Sequence, residues 1–154
     1  MALSTIVRVS RAYACNAERV YDAWLSPKLA RQVLFATPPH GEVIRCDIEP
    51  GINGKFVITD RRRVPDESVT VEVEHCGRFL QLDRPRRIAF SFLVPQFSDY
   101  ETAVIVDIVP QGDGCELTLR HDLGPAEDAV ESLERTEQGW ATVLANLERA
   151  LQVS

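Results

Sequence analysis

The C-terminal segment does most to limit what this chain can fold into. Val130, Leu133, Trp140, Val143, Leu144, Leu147 and Leu151 recur at helical spacing and make one apolar stripe. The stretch 125–151 amounts to a rod of about 40 Å at ~1.5 Å per residue. Between Glu42 and Asp122 the pattern instead has period two, with turn residues at intervals. A sheet with one polar face must bury the other, and the terminal rod is the one element long enough to cover it. The expected fold is α+β: a curved antiparallel sheet of about seven strands around a long C-terminal helix.

The N-terminal part supplies the remaining elements. Residues 5–14 alternate as a strand. Asn16 is placed to cap a short helix carrying Val20, Ala23 and Trp24 on one face. Ser26 followed by Pro27 is a second helix start, with Leu29, Val33 and Leu34 inward, and the prolines of ATPPHGE stop it. Ile44, Cys46 and Ile48 fall on one face of the next strand, and GINGK makes a hairpin turn. A further turn is expected at Pro65–Asp66. Val69, Val71, Val73 and His75 then share the inward face of a long strand that Gly77 interrupts, as a bulge would. Turns follow at residues 83–85 and 111–114. Gly124–Pro125 opens the last helix, whose first turn holds Glu127 and Asp128 and whose Glu131 and Arg135 are spaced to pair.

The length of 154 residues fits one domain over 1–154. No apolar run is long enough to span a membrane. The N-terminus alternates like a strand and not like a signal peptide, so a cytoplasmic location is expected. A net charge of -6 argues against general nucleic-acid binding, which needs clustered cations. Cys15, Cys46, Cys76 and Cys115 are too widely spaced for a zinc site or a dense disulfide scaffold. His40, His75 and His121 lie on separate elements, so no metal is expected. No nucleophile elbow, phosphate loop or dinucleotide fingerprint is present, and no cofactor is expected.

Two titratable groups stand out. His75 shares the inward face of its strand, where an imidazole can serve as acid or base. Strict alternation from Phe56 and Ile58 sends Asp60 inward as well. A buried carboxylate is costly unless paired, and Arg62 or Arg78 is placed to pair with it. The result would be a polar patch at one end of an apolar cavity, suited to a hydroxyl or carboxylate. The plainer alternative has Asp60 beyond the sheet in solvent and His75 bonded to a neighbour. Asp60 and His75 form the one acid–base pair a catalytic reading can use. His121 points either into the hollow or ties its strand to the last helix. The expected ligand-binding residues are Phe35, Phe56, Ile58, Val73, His75, Phe90, Phe92, Tyr100, His121 and Trp140, with Trp24 beside them. The arginines at 61–63 and at 84, 86 and 87 read as solvated strand ends, or as a contact for an acidic partner.

The element order and its local phrases resemble the SRPBCC superfamily, the START and Bet v 1-like helix-grip fold. Within it the chain is similar to the branch named for the activator of Hsp90 ATPase. The residues that carry this are the run Arg19 to Trp24, Gly54-Lys55-Phe56, Gly77-Arg78-Phe79-Leu80, Pro85-Arg86-Arg87-Ile88, Leu117 to His121 and Gly139-Trp140. Thr136 stands where many relatives carry a His, and Asn53 replaces a glycine usual in the hairpin turn. The resemblance implies three expectations. The first is a small hydrophobic-ligand-binding protein, holding an apolar or aromatic molecule between sheet and helix. The second is a cyclase- or dehydratase-like enzyme on a polyketide-like substrate. The third is an interaction domain with a chaperone partner. Fold does not choose among them.

Overall fold

A computed structural model describes residues 5–33, 42–63, 68–96, 99–124 and 128–153. The elements follow in the order β1 (Ile6–Tyr13), α1 (Ala17–Trp24), α2 (Pro27–Val33), β2 (Glu42–Ile48), β3 (Lys55–Arg63), β4 (Thr70–Asp83), β5 (Arg87–Phe92), β6 (Thr102–Gln111), β7 (Gly114–Asp122) and α3 (Asp128–Val153). The strands make one seven-stranded sheet in the order β1-β7-β6-β5-β4-β3-β2. Each pairing is antiparallel. β1 and β2 therefore sit on opposite edges. Helices α1 and α2 carry the chain from one edge to the other, and the meander from β2 to β7 brings it back to pair with β1.

Local chemistry accounts for the helix starts. The Asn16 side chain accepts from the Arg19 amide at 2.9 Å, and the Ser26 hydroxyl accepts from the Leu29 amide at 3.3 Å. Pro27 opens α2, where its missing N–H costs nothing. α3 buries Trp140, Val143, Leu144, Leu147 and Leu151, the stripe read from the sequence. It is tied to β1 and α1 by polar contacts as well. The Tyr13 hydroxyl donates to the Leu144 carbonyl at 2.8 Å, and burial pushes that phenol well above its usual range. Arg11 pairs with Glu148 at 2.6 Å, and Arg19 donates to the Leu151 carbonyl at 2.6 Å near the C-terminal end of α3.

Three sequence expectations are corrected. In β2 a register shift between Val43 and Arg45 breaks strict alternation, so Val43 and Cys46 are buried while Ile44 is only half-buried. Gly77 is not the bulge. The register of β4 on β5 shifts between Phe79 and Gln81, and Gly77 instead marks a close approach. A Cβ there would lie 1.8 Å from the Ser91 carbonyl oxygen and 2.8 Å from the Phe56 ring. Val69 and Val71 share the inward face but are 51% and 42% exposed. The reason is that β4 outruns its neighbour: it first meets the β5 side at Cys76–Leu93, so Val71 pairs only with β3. His40, Leu34, the Pro65–Asp66 turn, Pro125 and Glu127 lie outside the described residues, as do the side chains of Val33, Val130 and Glu131.

Candidate functional site

The inner face of the sheet and the helices above it enclose a small apolar cavity. β2 contributes Ile48, β3 contributes Phe56 and Ile58, β4 contributes Phe79, and β5 contributes Phe90 and Phe92. The opposite wall is Trp24 from α1 and Trp140 from α3, which stack with centroids 6.4 Å apart and planes at 24°. Period two explains the sheet side, since alternate residues of β3 and β5 face the same way. The rings meet edge to face: Phe90 lies 5.5 Å from Phe56 at 88° and 6.5 Å from Trp140 at 62°. The space left between them is about 30 Å³. That is room for about two water molecules, and the walls offer them few polar partners.

Five of the expected lining residues, Phe56, Ile58, Phe90, Phe92 and Trp140, are at the wall, as is Trp24. Val73 is buried but stands further along the sheet, opposite Asp60. Tyr100 is 77% exposed, in the connection before β6, and does not line the cavity. Phe35 lies outside the described residues. Phe79 was missed, although counting by two from His75 across Gly77 reaches it.

Two of the buried polar groups, Asp60 and His75, lie together beside one end of this cavity. Asp60 has no exposed side-chain surface. Its carboxylate takes a two-pronged bond from Arg62, at 2.8 Å from Nε and 2.7 Å from Nη2. The alternative of a solvated Asp60 is thereby overturned, and of the two arginines offered as partners, Arg62 fills the role. His75, 4% exposed, brings Nδ1 within 3.0 Å of the Ile58 carbonyl and 3.7 Å of the Asp60 carboxylate. A carbonyl can only accept, so Nδ1 carries the proton. The other side of the ring packs on Phe92 at 5.9 Å, which joins the polar group to the cavity wall.

His121 takes the structural option. Trp140 Nε1 donates to its Nδ1 at 3.0 Å, and its Nε2 lies 2.7 Å from the Thr102 hydroxyl. That hydroxyl donates onward to the Phe92 carbonyl at 3.1 Å. Burial lowers the His121 pKa to about 4, against a small opposing pull from Asp122, so the ring is neutral near pH 7. The chain of bonds ties α3 to β7, β6 and β5 directly behind the cavity wall.

Among the described residues no group of three His, Cys, Asp or Glu side chains is placed to hold a metal. No described helix is long and apolar enough to cross a membrane. The four cysteines are free thiols, with Cys46 and Cys115 buried.

Comparison with known proteins agrees with this architecture. A protein of Rhodobacter sphaeroides is 25% identical, over 97% of this chain and 93% of that one, at a TM-score of 0.76. A protein of Nitrosomonas europaea is 17% identical over 96% and 94%, at 0.75. CalU16 from Micromonospora echinospora is 16% identical over 96% and 83%, at 0.63. No significant match is found among curated proteins. The family model described as Activator of Hsp90 ATPase homolog 1-like protein matches residues 14–152. This helix-grip chain therefore belongs to the Activator of Hsp90 ATPase homolog 1-like family.

Proposed function

We propose that the protein binds a small, flat, largely apolar molecule between the sheet and the paired tryptophans. One observation carries this reading: the cavity wall is wholly aromatic and aliphatic, while the nearest buried charges are gathered beyond one end of it. The space of about 30 Å³ is smaller than such a ligand. Binding therefore requires the wall rings to give way. The void costs roughly 0.7 kcal/mol at ~24 cal/mol per Å³, a small penalty that a ligand filling it would remove.

The chain has two tryptophans, and both are in this wall. Their fluorescence is thus a direct reporter. Titration with naphthalene, indole and medium-chain lipids should give a saturable change and a raised melting temperature for at least one class. A flat response across the panel, with native mass spectra showing no retained ligand, overturns the proposal.

A second reading is favoured by the approach of His75 to Asp60 at 3.7 Å: general acid–base chemistry on a polyketide-like substrate. It needs both groups to reach one substrate atom. Turnover of such a substrate that is lost in both His75→Gln and Asp60→Asn, with ligand affinity kept, supports it. Turnover indifferent to either change removes it. The chaperone reading draws on the family description, and pull-down with Hsp90 followed by an ATPase assay tests it.

A further inference from the structure

We infer that the ligand carries a carboxylate and that Arg62 reads it. This deepens the cavity reading and rests on it. Arg62 uses Nε and one hydrogen of Nη2 to grip Asp60. Among the described residues no acceptor meets the other edge of the guanidinium, formed by Nη1 and the second Nη2 hydrogen. That edge has the spacing of a carboxylate. Asp60 holds the fork in one orientation, and His75 and Val73 pack around Asp60. The donors are thus set before any ligand arrives, which lowers the ordering cost of binding.

Placement supports the assignment. Ile58, Asp60 and Arg62 succeed one another on the inner face of β3. From the cavity wall at Ile58 to Arg62 is four residues, or about 13 Å of strand. That span matches a bicyclic ring or short chain ending in an acid. Arg62 keeps 21% of its side-chain surface exposed, so a head group there would still touch water. Val71, its cross-strand partner, and Val69 beyond it offer solvent-accessible apolar surface on the same face. Apolar side chains thus lie to both sides of the guanidinium along the strand, Ile58 at the cavity wall and Val69 beyond it. The three arginines that end β3 differ in their partners. Arg61 is paired with Glu72 at 3.4 Å and Arg62 with Asp60, while Arg63 is in no ion pair among the described residues.

The test uses the full chain and three matched probes: naphthylacetate, its neutral amide and naphthylethylamine, followed by tryptophan fluorescence at low and high salt. The expected result is naphthylacetate binding roughly tenfold tighter than the amide, with the amine weakest, as one charge-assisted contact predicts. In the double variant Asp60→Asn with Arg62→Gln, which removes both charges and leaves polar side chains in their place, acid and amide should bind alike. Equal binding of acid and amide to the unaltered protein, with both perturbing the tryptophans, overturns the role of Arg62 and leaves the cavity reading standing. An acid preference that survives in the double variant overturns it too. No response to any of the three removes the cavity reading and this inference together. The comparison of probes on the unaltered chain decides the matter even if the double variant does not fold.

Discussion

The Trp140 indole donates a 3.0 Å hydrogen bond to Nδ1 of His121. An indole N–H can only donate, so Nδ1 must be bare and the His121 proton must sit on Nε2, facing the Thr102 hydroxyl at 2.7 Å. Protonating the ring would set two donors against each other inside the core.

A pH dependence follows from that constraint. Burial lowers the His121 pKa to about 4, from an unfolded value near 6.5. Between these values the unfolded chain holds the proton and the folded chain does not, so stability rises with pH. The full contribution is present above about pH 6.5 and is lost as pH falls towards 4, where it levels off. Two and a half pKa units correspond to roughly 3 kcal/mol. Chemical denaturation at several pH values should show this slope, and it should be reduced in His121→Gln. An unchanged slope in that variant assigns the effect to other groups.

Gly77 offers a test that depends on backbone packing alone. Its Cβ position lies 1.8 Å from the Ser91 carbonyl oxygen, whereas nothing lies within 4 Å of the same position at Gly51. Gly77→Ala should cost about 2–3 kcal/mol or more, because β5 or the Phe56 ring must shift. Gly51→Ala should stay within about 0.5 kcal/mol. Denaturant midpoints of the two variants make the comparison, and similar values would mean that the backbone at Gly77 has room for a side chain.

Much of this architecture was legible in the residues themselves. The leucine spacing of α3, the caps at Asn16 and Ser26, and the inward run Phe56, Ile58, Asp60 all follow from periodicity and side-chain chemistry. What escaped is what periodicity does not encode. Val43 replaced Ile44 as the buried residue because β2 slips register against β3. Val69 and Val71 are exposed because β4 runs past the strand beside it, a matter of neighbouring lengths. Tyr100 is aromatic but sits in a connection, where no sheet face directs it inward. In the candidate site, Asp60 and His75 were paired by counting along two strands. The choice of Arg62 over Arg78 required the strand register, which sets Arg78 opposite Lys55, five residues along β3 from Asp60.

The Asp60–Arg62 pair should behave as a unit. Asp60→Ala leaves a mostly buried guanidinium without its counter-charge and should cost about 3 kcal/mol, towards the low end for buried pairs because Arg62 keeps 21% of its side chain in water. The double change Asp60→Asn with Arg62→Gln should cost less than the sum of Asp60→Asn and Arg62→Gln made singly. Thermal melts of all three variants form a double-mutant cycle. Strict additivity would show that the short contacts contribute no coupling.

Phe90 is the residue whose removal most directly tests whether the aromatic wall is a container. It is 4% exposed and lies among Phe56, Phe79, Phe92 and Trp140. Phe90→Ala should cost about 3–5 kcal/mol and leave an enlarged apolar space. Such a space stays dry and accepts an apolar guest. Benzene or indole should then raise the melting temperature of the variant more than that of the unaltered chain, with the gain growing as the logarithm of ligand concentration above Kd. If the variant is destabilised but no guest restores it, the rings have collapsed into the gap. The wall would then be packed core, and the carboxylate reading at Arg62, which rests on the cavity, would fall with it.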